Sequence, residues 1–560
     1  MKYQSSNTKK VYEIDPKKKR STCPECSRNR RKKDDVCVNW DLTAKRGYCH
    51  HCETSFFVYE SKPEIEYKVP VWKNITDLTD RAVKWFNGRG ISQNTLKQLK
   101  VYSDKEFMPQ HDKEVEVICF PYFKDEKHIN VKYRGANKAF KLVNGAELCF
   151  WNVDAITDEV IIVEGEIDLL SFIECGLYPV ISVPNGAGNT QYLDYAMSRF
   201  EGVGKIYLAT DNDKKGVELR DELARRFGFE RCLIVDFKDC KDANEYLIKY
   251  GAYELALTIG NAKTYPVKGI VKVNDIFADI KTLFETGTQP GLNIQMKDVD
   301  DVVTWEAGRL VTVTGIPGHG KSEFVDFLIT RLNFIYGWRI ALFTPENYPL
   351  KYHYAKIYEK YVGKKFSKEK CNDDEFNIAY EHIRDNFFYI MDEEDNSVEM
   401  VIESAKALVK NRGVKCLVID PYNKLEHSQT RGESETQYIS RFLDKITSFA
   451  KFYNVMVILV AHPKKMQKQQ NGFYEIPNLY DISGSAHFYN KTDYGITVYR
   501  NYNDDGTGYT NTVAIHVQKV KFKHLGESGV IDMNYNYTNG RFESKNNTID
   551  GWDNSNWLIR

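Results

Sequence analysis

RLVTVTGIPGHGKSEF, residues 309–324, is an apolar, strand-like run that breaks into glycines and resumes with helix-forming residues. Its middle fits Gly-x-x-x-x-Gly-Lys-Ser, with Gly315, Gly320, Lys321 and Ser322 at the fixed positions. Glycines at 315, 318 and 320 let backbone N–H groups approach phosphates, and the following helix turns its positive N-terminus toward them. Lys321 is placed to reach the β- and γ-phosphates and Ser322 to ligate Mg²⁺. The loop predicts nucleoside triphosphate hydrolysis. Motors, switches and transporters share it, so the rest of the chain must say what hydrolysis drives.

Three further apolar runs each end in a polar residue. RIALFTPEN (339–347) leads to Glu346, placed to polarise an attacking water. KCLVID (415–420) ends in Asp420, a carboxylate for Mg²⁺, held directly or through water, and VMVILVAH (455–462) ends in His462, a sensor of the γ-phosphate. Four buried strands of this kind, in this order, resemble a RecA-like α/β ATPase core.

Bulk properties bound the alternatives. The 560 residues suffice for several domains. The chain balances 78 Lys+Arg against 78 Asp+Glu and is 42% hydrophobic, which fits a soluble protein with sizeable cores. The first 35 residues are nonetheless basic, as suits a phosphate backbone or a solvated tail. No apolar run approaches the roughly 18 residues that span a bilayer, and MKYQSSNTKK lacks the apolar segment of a secretion signal. The expectation is a cytoplasmic protein of a bacterial or phage-infected cell, with no membrane partner. Four of the 12 cysteines cluster near the start, which favours one metal site over a disulfide framework.

That cluster is CPEC (23–26) and CHHC (49–52), two knuckles 22 residues apart. Cys23, Cys26, Cys49 and Cys52 can complete a tetrahedral Zn²⁺ shell. His50, His51 and Cys37 are near enough to substitute but are expected outside it. Arg28, Arg30 and Arg31, in RNRRKK between the knuckles, are the nucleic-acid candidates of a β-rich zinc ribbon over residues 1–60.

From 71 to 260 the pattern is mixed α/β. VYSDKEF, VEVICFPYF and HINVKYRG read as strands. EVIIVEGEIDLLSFIECG (159–176) then runs a buried strand into Glu164 and a helix opening with Glu166, Ile167 and Asp168. KIYLAT (205–210) leads to Asp211 and Asp213, expected one strand period apart on one face. CLIVDF leads to KDCKDANEYL with Asp242. Carboxylates at the ends of parallel strands converge on a crevice, and hard oxygen ligands without His or Cys favour Mg²⁺ (or Mn²⁺). The ordered set Glu164, Asp168, Asp211, Asp213 and Asp242 is the candidate. The bland alternative is that each caps a helix or fills a turn.

The strand-end Glu-Gly followed by Asp-x-Asp resembles the TOPRIM fold of primases and topoisomerases, with its core near 155–250. KDANEYL is similar to the Lys-Asp-Ala-Asn run of primase-type TOPRIM domains. No signature of a tyrosine-bearing strand-cutting domain accompanies it. The resemblance implies that VKYRGANKAFK (131–141), with Lys132, Arg134, Lys138 and Lys141, contacts the incoming nucleotide and template. Taken alone, that stretch is equally a solvated hairpin edge.

Residues 261–287 read as a linker and an amphipathic helix with apolar positions 276, 277, 280, 283 and 284, Asn274 as cap and Gly287 as stop. Residues 288–545 hold the motor and 546–560 a tail. The order zinc ribbon, TOPRIM, linker and RecA-like core resembles the bifunctional primase-helicases of short-tailed coliphages. FTPEN, DPYN, VAHPKK and DISGSAHFYNKTD are similar to Twinkle-like helicases and their bacterial and phage relatives. The resemblance implies a ring of six or seven subunits, ATP or dTTP as fuel, and ribonucleoside triphosphates as primase substrates. It also implies single-stranded and forked DNA as partners, with a replicative polymerase reached through the tail. Animal Twinkle has largely lost the zinc ribbon together with priming, so its retention here favours an active primase. In such rings the linker helix docks on the neighbouring subunit; otherwise it packs on its own domain.

Relatives also place a lysine and an arginine finger near VAIHVQKVKFKHLGESG (513–529), where this chain has only Lys519, Lys521 and Lys523. Strand period two would put all three on one face. Alignment of KVKF nominates Lys521, and counting back from GESG nominates Lys523. A lysine finger neutralises charge but lacks the bidentate fork of arginine. The loops NKLEHSQTRGE and HPKKMQKQQNG, the latter with Lys464, Lys465 and Lys468, are candidates for facing single-stranded DNA. The terminal NNTIDGWDNSNWLIR reads as a mobile, partner-docking tail. The whole predicts a replicative primase-helicase. A helicase with a silent primase half, or a RecA-like loading factor on single-stranded DNA, are the alternatives.

Overall fold

The computed structural model describes every residue except 1, 6–9, 14–19, 28–29, 31, 33, 42–45, 53, 59–66, 72–76, 187–189, 266–272, 274–276, 393–394, 427–433, 470–472, 483–485, 504–507, 545–554 and 560. Residues 1–69 with 144–147 form one compact unit and the remainder a second. Among the described residues no helix is long and apolar enough to cross a membrane.

The first unit is a six-stranded antiparallel sheet around a small core of Tyr3, Val38, Trp40 and Phe56. A core this small cannot hold a fold alone, which is why such units rely on metals. Its hairpin pairs Val38–Asp41 with Arg46–Cys49. Gly47 faces the Trp40 indole so closely that a Cβ there would lie 2.4 Å from the ring.

The second unit carries three sheets. The strands Phe140–Leu142, Lys127–Arg134, Lys113–Lys124 and Tyr102–Met108 form an antiparallel sheet in that order. Next, Val180–Ser182, Glu159–Val163, Lys205–Ala209 and Cys232–Ile234 run parallel, with Lys263–Thr264 antiparallel at the edge. The largest sheet orders Phe387–Tyr389, Arg339–Phe343, Val414–Ile419, Met456–Val460, Leu310–Thr314 and Tyr494–Tyr502 in parallel. It continues antiparallel through Tyr509–Val520, Gly529–Tyr535 and Phe542–Ser544. EVIIV, LVTVT and MVILV are apolar almost throughout because both faces of a parallel sheet are covered by helices. The loops that leave the C-terminal ends of these strands collect the polar residues considered below.

Two expectations meet the structure here. The helix Phe277–Thr286 stops at Gly287 (φ +70°), whose N–H bonds the Leu283 carbonyl. Phe277, Ile280, Leu283 and Phe284 on it are exposed, so this face is not packed on its own domain; Asn274 lies outside the described residues. The tail, expected to be mobile, is docked where it is described. Trp557 is 3% exposed, its N–H bonds the Tyr361 carbonyl (2.9 Å), and the Arg541 guanidinium lies over its ring at 4.1 Å. Indole burial outweighs the polar composition of the segment. Trp557→Ala should cost the motor about 3 kcal/mol, read as a lower denaturant midpoint; an unchanged midpoint would contradict this anchoring.

Candidate functional site

The parallel strands Glu159–Val163 and Lys205–Ala209 and the start of the helix Ala243–Tyr250 bring acidic groups to a cavity of about 570 Å³. Glu164, Asp168, Asp211 and Asp242 line it. Crowding marks their chemistry. Burial, then Asp211 and Asp213, pushes Glu164 up to about 7, and its Oε2 is buried without a hydrogen-bond partner. Burial and Asp242 hold Asp168 well above the usual carboxylate range. Asp211 is raised by burial, although Lys241 offsets part of it. The Lys241 ammonium stands 3.0 Å from Asp211 and 3.2 Å from Asp213, so a positive group already sits between these two carboxylates. Hard oxygen donors, mutual repulsion and an orphaned oxygen fit a divalent cation of the Mg²⁺ class.

Asp213 departs from the expected strand face. The strand ends at Ala209, and Asp213 caps the helix Lys214–Phe227 by accepting from Gly216 N–H (3.0 Å), which lowers its pKa. Asp242 likewise caps Ala243–Tyr250 through Glu245 N–H. For these two, capping and membership of the acidic cluster coexist.

The basic stretch divides. Arg134 and Lys138 line the cavity, and Arg134 lies over Trp85 and Phe140, each at 4.9 Å. Lys132 lines the cavity too, 9% exposed and held in a 2.8 Å ion pair with Glu166, which Tyr122 also bonds. A buried lysine needs a carboxylate, and Glu166 supplies it. Lys141 lines the same cavity while pairing with Glu106 at 2.7 Å. Arg89 was not legible in the sequence: it stacks on Trp85 at 4.4 Å and donates to Asn244 Oδ1 at 2.9 Å. Asn244, from KDANEYL, returns a bond to the Arg89 carbonyl, and its N–H donates to Asp168.

A second constellation lies at the C-terminal ends of Leu310–Thr314, Arg339–Phe343, Val414–Ile419 and Met456–Val460. Gly315, Gly318 and Gly320 adopt φ of +147°, +81° and +93°, conformations that exclude most side chains. Lys321 is buried, folded onto the carbonyls of Gly315 and Ile316 (3.0 and 3.2 Å). Burial lowers it to about 8, although Asp420 and Glu346 act against this. Burial raises Asp420 to about 6, while a hydrogen bond with Ser322 pulls the other way. His462 is lowered by burial and by Lys321, with Glu346 acting oppositely. Lys321, Asp420, Glu346 and His462 are therefore electrostatic neighbours at one edge of the sheet, with Glu346 also 3.7 Å from Lys424. His319, unremarked in the sequence, ties the loop to its neighbours by accepting from Arg500 N–H (3.1 Å) and meeting the Tyr509 hydroxyl (3.4 Å).

The finger lysines do not share a strand face. The strand ends at Val520 and Lys523 begins a 3₁₀ turn, so period two fails beyond Lys519. Lys519 is turned onto the Tyr489 carbonyl, Lys521 lies 3.4 Å from Asp493, and Lys523 is exposed. Lys464, Lys465 and Lys468 are exposed; most of NKLEHSQTRGE (427–433) lies outside the described residues.

In the first unit the four expected thiols gather, with ligand atoms within 4.8 Å of one another. Cys23–Cys52 and Cys26–Cys49 are each 3.7 Å apart, close to the roughly 3.8 Å edge of a tetrahedron with 2.3 Å Zn–S bonds. His50 and His51 point instead to Asn39 and Asp35, and Cys37 sits 3.7 Å from Cys49. Arg28 and Arg31 lie outside the described residues. Arg30 corrects the sequence reading: its Nη2 donates to Cys26 and Cys37, so it faces sulfur rather than a nucleic acid.

Residues 291–544 match the family described as the DnaB-like helicase C terminal domain, and 161–247 match the Toprim-like family. The chain is 35% identical over 514 residues to the Twinkle homolog protein, chloroplastic/mitochondrial, of Arabidopsis thaliana, covering 86% of this chain and 71% of that one. It is 33% identical over 229 residues to the Primase homolog protein of the same plant, covering 37% and 66% respectively. It is 23% identical to the DNA helicase/primase of Enterobacteria phage T3 over 70% of each chain.

Proposed function

The chain belongs to the Twinkle-like primase-helicase family, and from that premise we propose how its two sites divide the work. The carrying observation is that one chain brings carboxylates to the strand ends of one sheet and Lys321, Asp420, Glu346 and His462 to those of another.

At the motor site, Gly315, Gly318 and Gly320 cradle the phosphates of ATP or dTTP and Lys321 neutralises the γ-phosphate. Ser322 and Asp420 would hold Mg²⁺, which would supply charge neutralisation to the phosphates. Glu346, half exposed, orients the attacking water, and His462 contacts the γ-phosphate. Hydrolysis drives a ring of subunits along single-stranded DNA and opens the fork, with Lys464, Lys465 and Lys468 on the backbone. Lys521 or Lys523 reaches the neighbouring subunit's nucleotide. Alanine at whichever lysine acts should lower turnover about 100-fold without loss of nucleotide binding; wild-type turnover in both variants would refute a lysine finger.

Glu164, Asp168, Asp211 and Asp242 in the acidic cavity, with Asp213 beside it, would hold Mg²⁺ or Mn²⁺, which would supply charge neutralisation to a nucleoside triphosphate. Arg134, Lys138 and Arg89 offer guanidinium and ammonium groups to the triphosphate of a ribonucleotide. Trp85 and Phe140 keep the two guanidinium groups oriented. The first unit, with Zn²⁺ on Cys23, Cys26, Cys49 and Cys52, reads the template. Removal of Zn²⁺ should unfold this unit, seen as Cys37 and the four ligand thiols becoming reactive while NTP hydrolysis with added Mg²⁺ persists; unreactive thiols after metal loss would contradict it. Unwinding of a forked duplex tests the motor, and labelled-ribonucleotide incorporation tests the primase.

A further inference from the structure

A buried ionic seam joins the parallel TOPRIM sheet's helices to the motor. Asp194, 5% exposed, accepts from Arg226 Nη2 (2.8 Å) on its own domain and from Arg339 Nη1 (2.6 Å) on the motor, with Arg412 at 4.0 Å. Arg226 is fully buried and its Nε donates to the Lys410 carbonyl (2.5 Å). Arg225 Nη1 donates to the Val414 carbonyl (2.8 Å) while its other nitrogens grip Glu222, which Lys415 also reaches at 3.0 Å. Beside them Phe229 meets Phe452 edge-on at 5.3 Å.

The motor side explains the arginines. The helix Val398–Arg412 ends at Gly413 (φ +66°), leaving carbonyls without helical partners at its negative end. Arg226 satisfies the Lys410 carbonyl of this turn, Arg225 bonds the Val414 carbonyl at the start of the next strand, and a Cβ at Gly413 would stand 2.9 Å from Arg226 Nη1. Arg339 opens the strand leading to Glu346, and Lys415 lies near the start of the strand leading to Asp420. The seam therefore grips these strands at the ends opposite the nucleotide site.

Solvated surface ion pairs contribute little and tolerate many geometries. Here the groups are directional, largely buried and partnered from both sides, so sliding one domain over the other would leave charges buried without their partners. We propose that the TOPRIM domain is clamped as one rigid body onto the motor of its own chain by this seam, rather than hanging from residues 261–287. The acidic cavity is then carried at a fixed station at the far end of the motor sheet. The inference stands whether or not that cavity makes primers.

The test replaces residues 266–272 of the full chain with a protease site, cleaves the folded protein and runs gel filtration at moderate salt. Residues up to the cut should co-elute with the motor. Arg226→Glu on one side and Arg339→Glu on the other should each weaken the association about a hundredfold or more, so that the halves separate. Arg339→Glu leaves the TOPRIM half unaltered, and retained NTP hydrolysis shows that its motor is folded. Separation of the wild-type halves would overturn the proposal, and so would co-elution that survives both substitutions.

Discussion

Lys321→Ala lowers nucleotide hydrolysis by about three orders of magnitude and abolishes fork unwinding, while primer synthesis on short templates stays at the wild-type rate. The ammonium lies buried on the carbonyls of Gly315 and Ile316, with Asp420 and Glu346 as its charged neighbours. It is already out of water, so turning toward a phosphate exchanges two carbonyl partners for phosphate oxygens without a further desolvation cost. Removing it leaves Asp420 and Glu346 facing incoming phosphates without their cation. Steady-state phosphate release, with nucleotide binding followed separately, measures the effect. Loss of primer synthesis in the same variant would show the two sites to be one system.

Asp211→Asn has the complementary signature: primer synthesis falls by about 10³-fold and nucleotide hydrolysis is unchanged. Asp211 follows the strand Lys205–Ala209 and raises the pKa of both Glu164 and Asp168. The amide keeps the shape but removes the charge, so the cavity should lose divalent-cation affinity without losing its fold. Primer yield against Mg²⁺ concentration reads this directly. Wild-type yield would remove Asp211 from the site.

Both pairs of outcomes rest on features legible along the chain. The glycines of the phosphate loop and the strand-end polar residues are read locally, because a parallel strand delivers its last residue to the same edge of the sheet. The cysteine knuckles were equally plain, since two spacings fix a tetrahedron. What stayed hidden depended on distant partners. Arg89 and Asn244 are 155 residues apart, and nothing local marks Lys132 as the counter-ion of Glu166. Arg30 has the composition of a DNA contact and the position of a thiol ligand's neighbour. Strand periodicity does not extend to Lys521 and Lys523, because the strand ends at Val520 and the chain turns there. The burial of Trp557 is invisible in composition, because one indole does not alter the polar character of the segment around it.

The most direct measurement is primer synthesis by the full-length, zinc-loaded protein on varied single-stranded templates with labelled ribonucleotides. Short, template-dependent ribo-oligonucleotides are the expected product. No product from a preparation that hydrolyses nucleotide and unwinds forks would contradict the account, and would leave the acidic cavity without catalytic use.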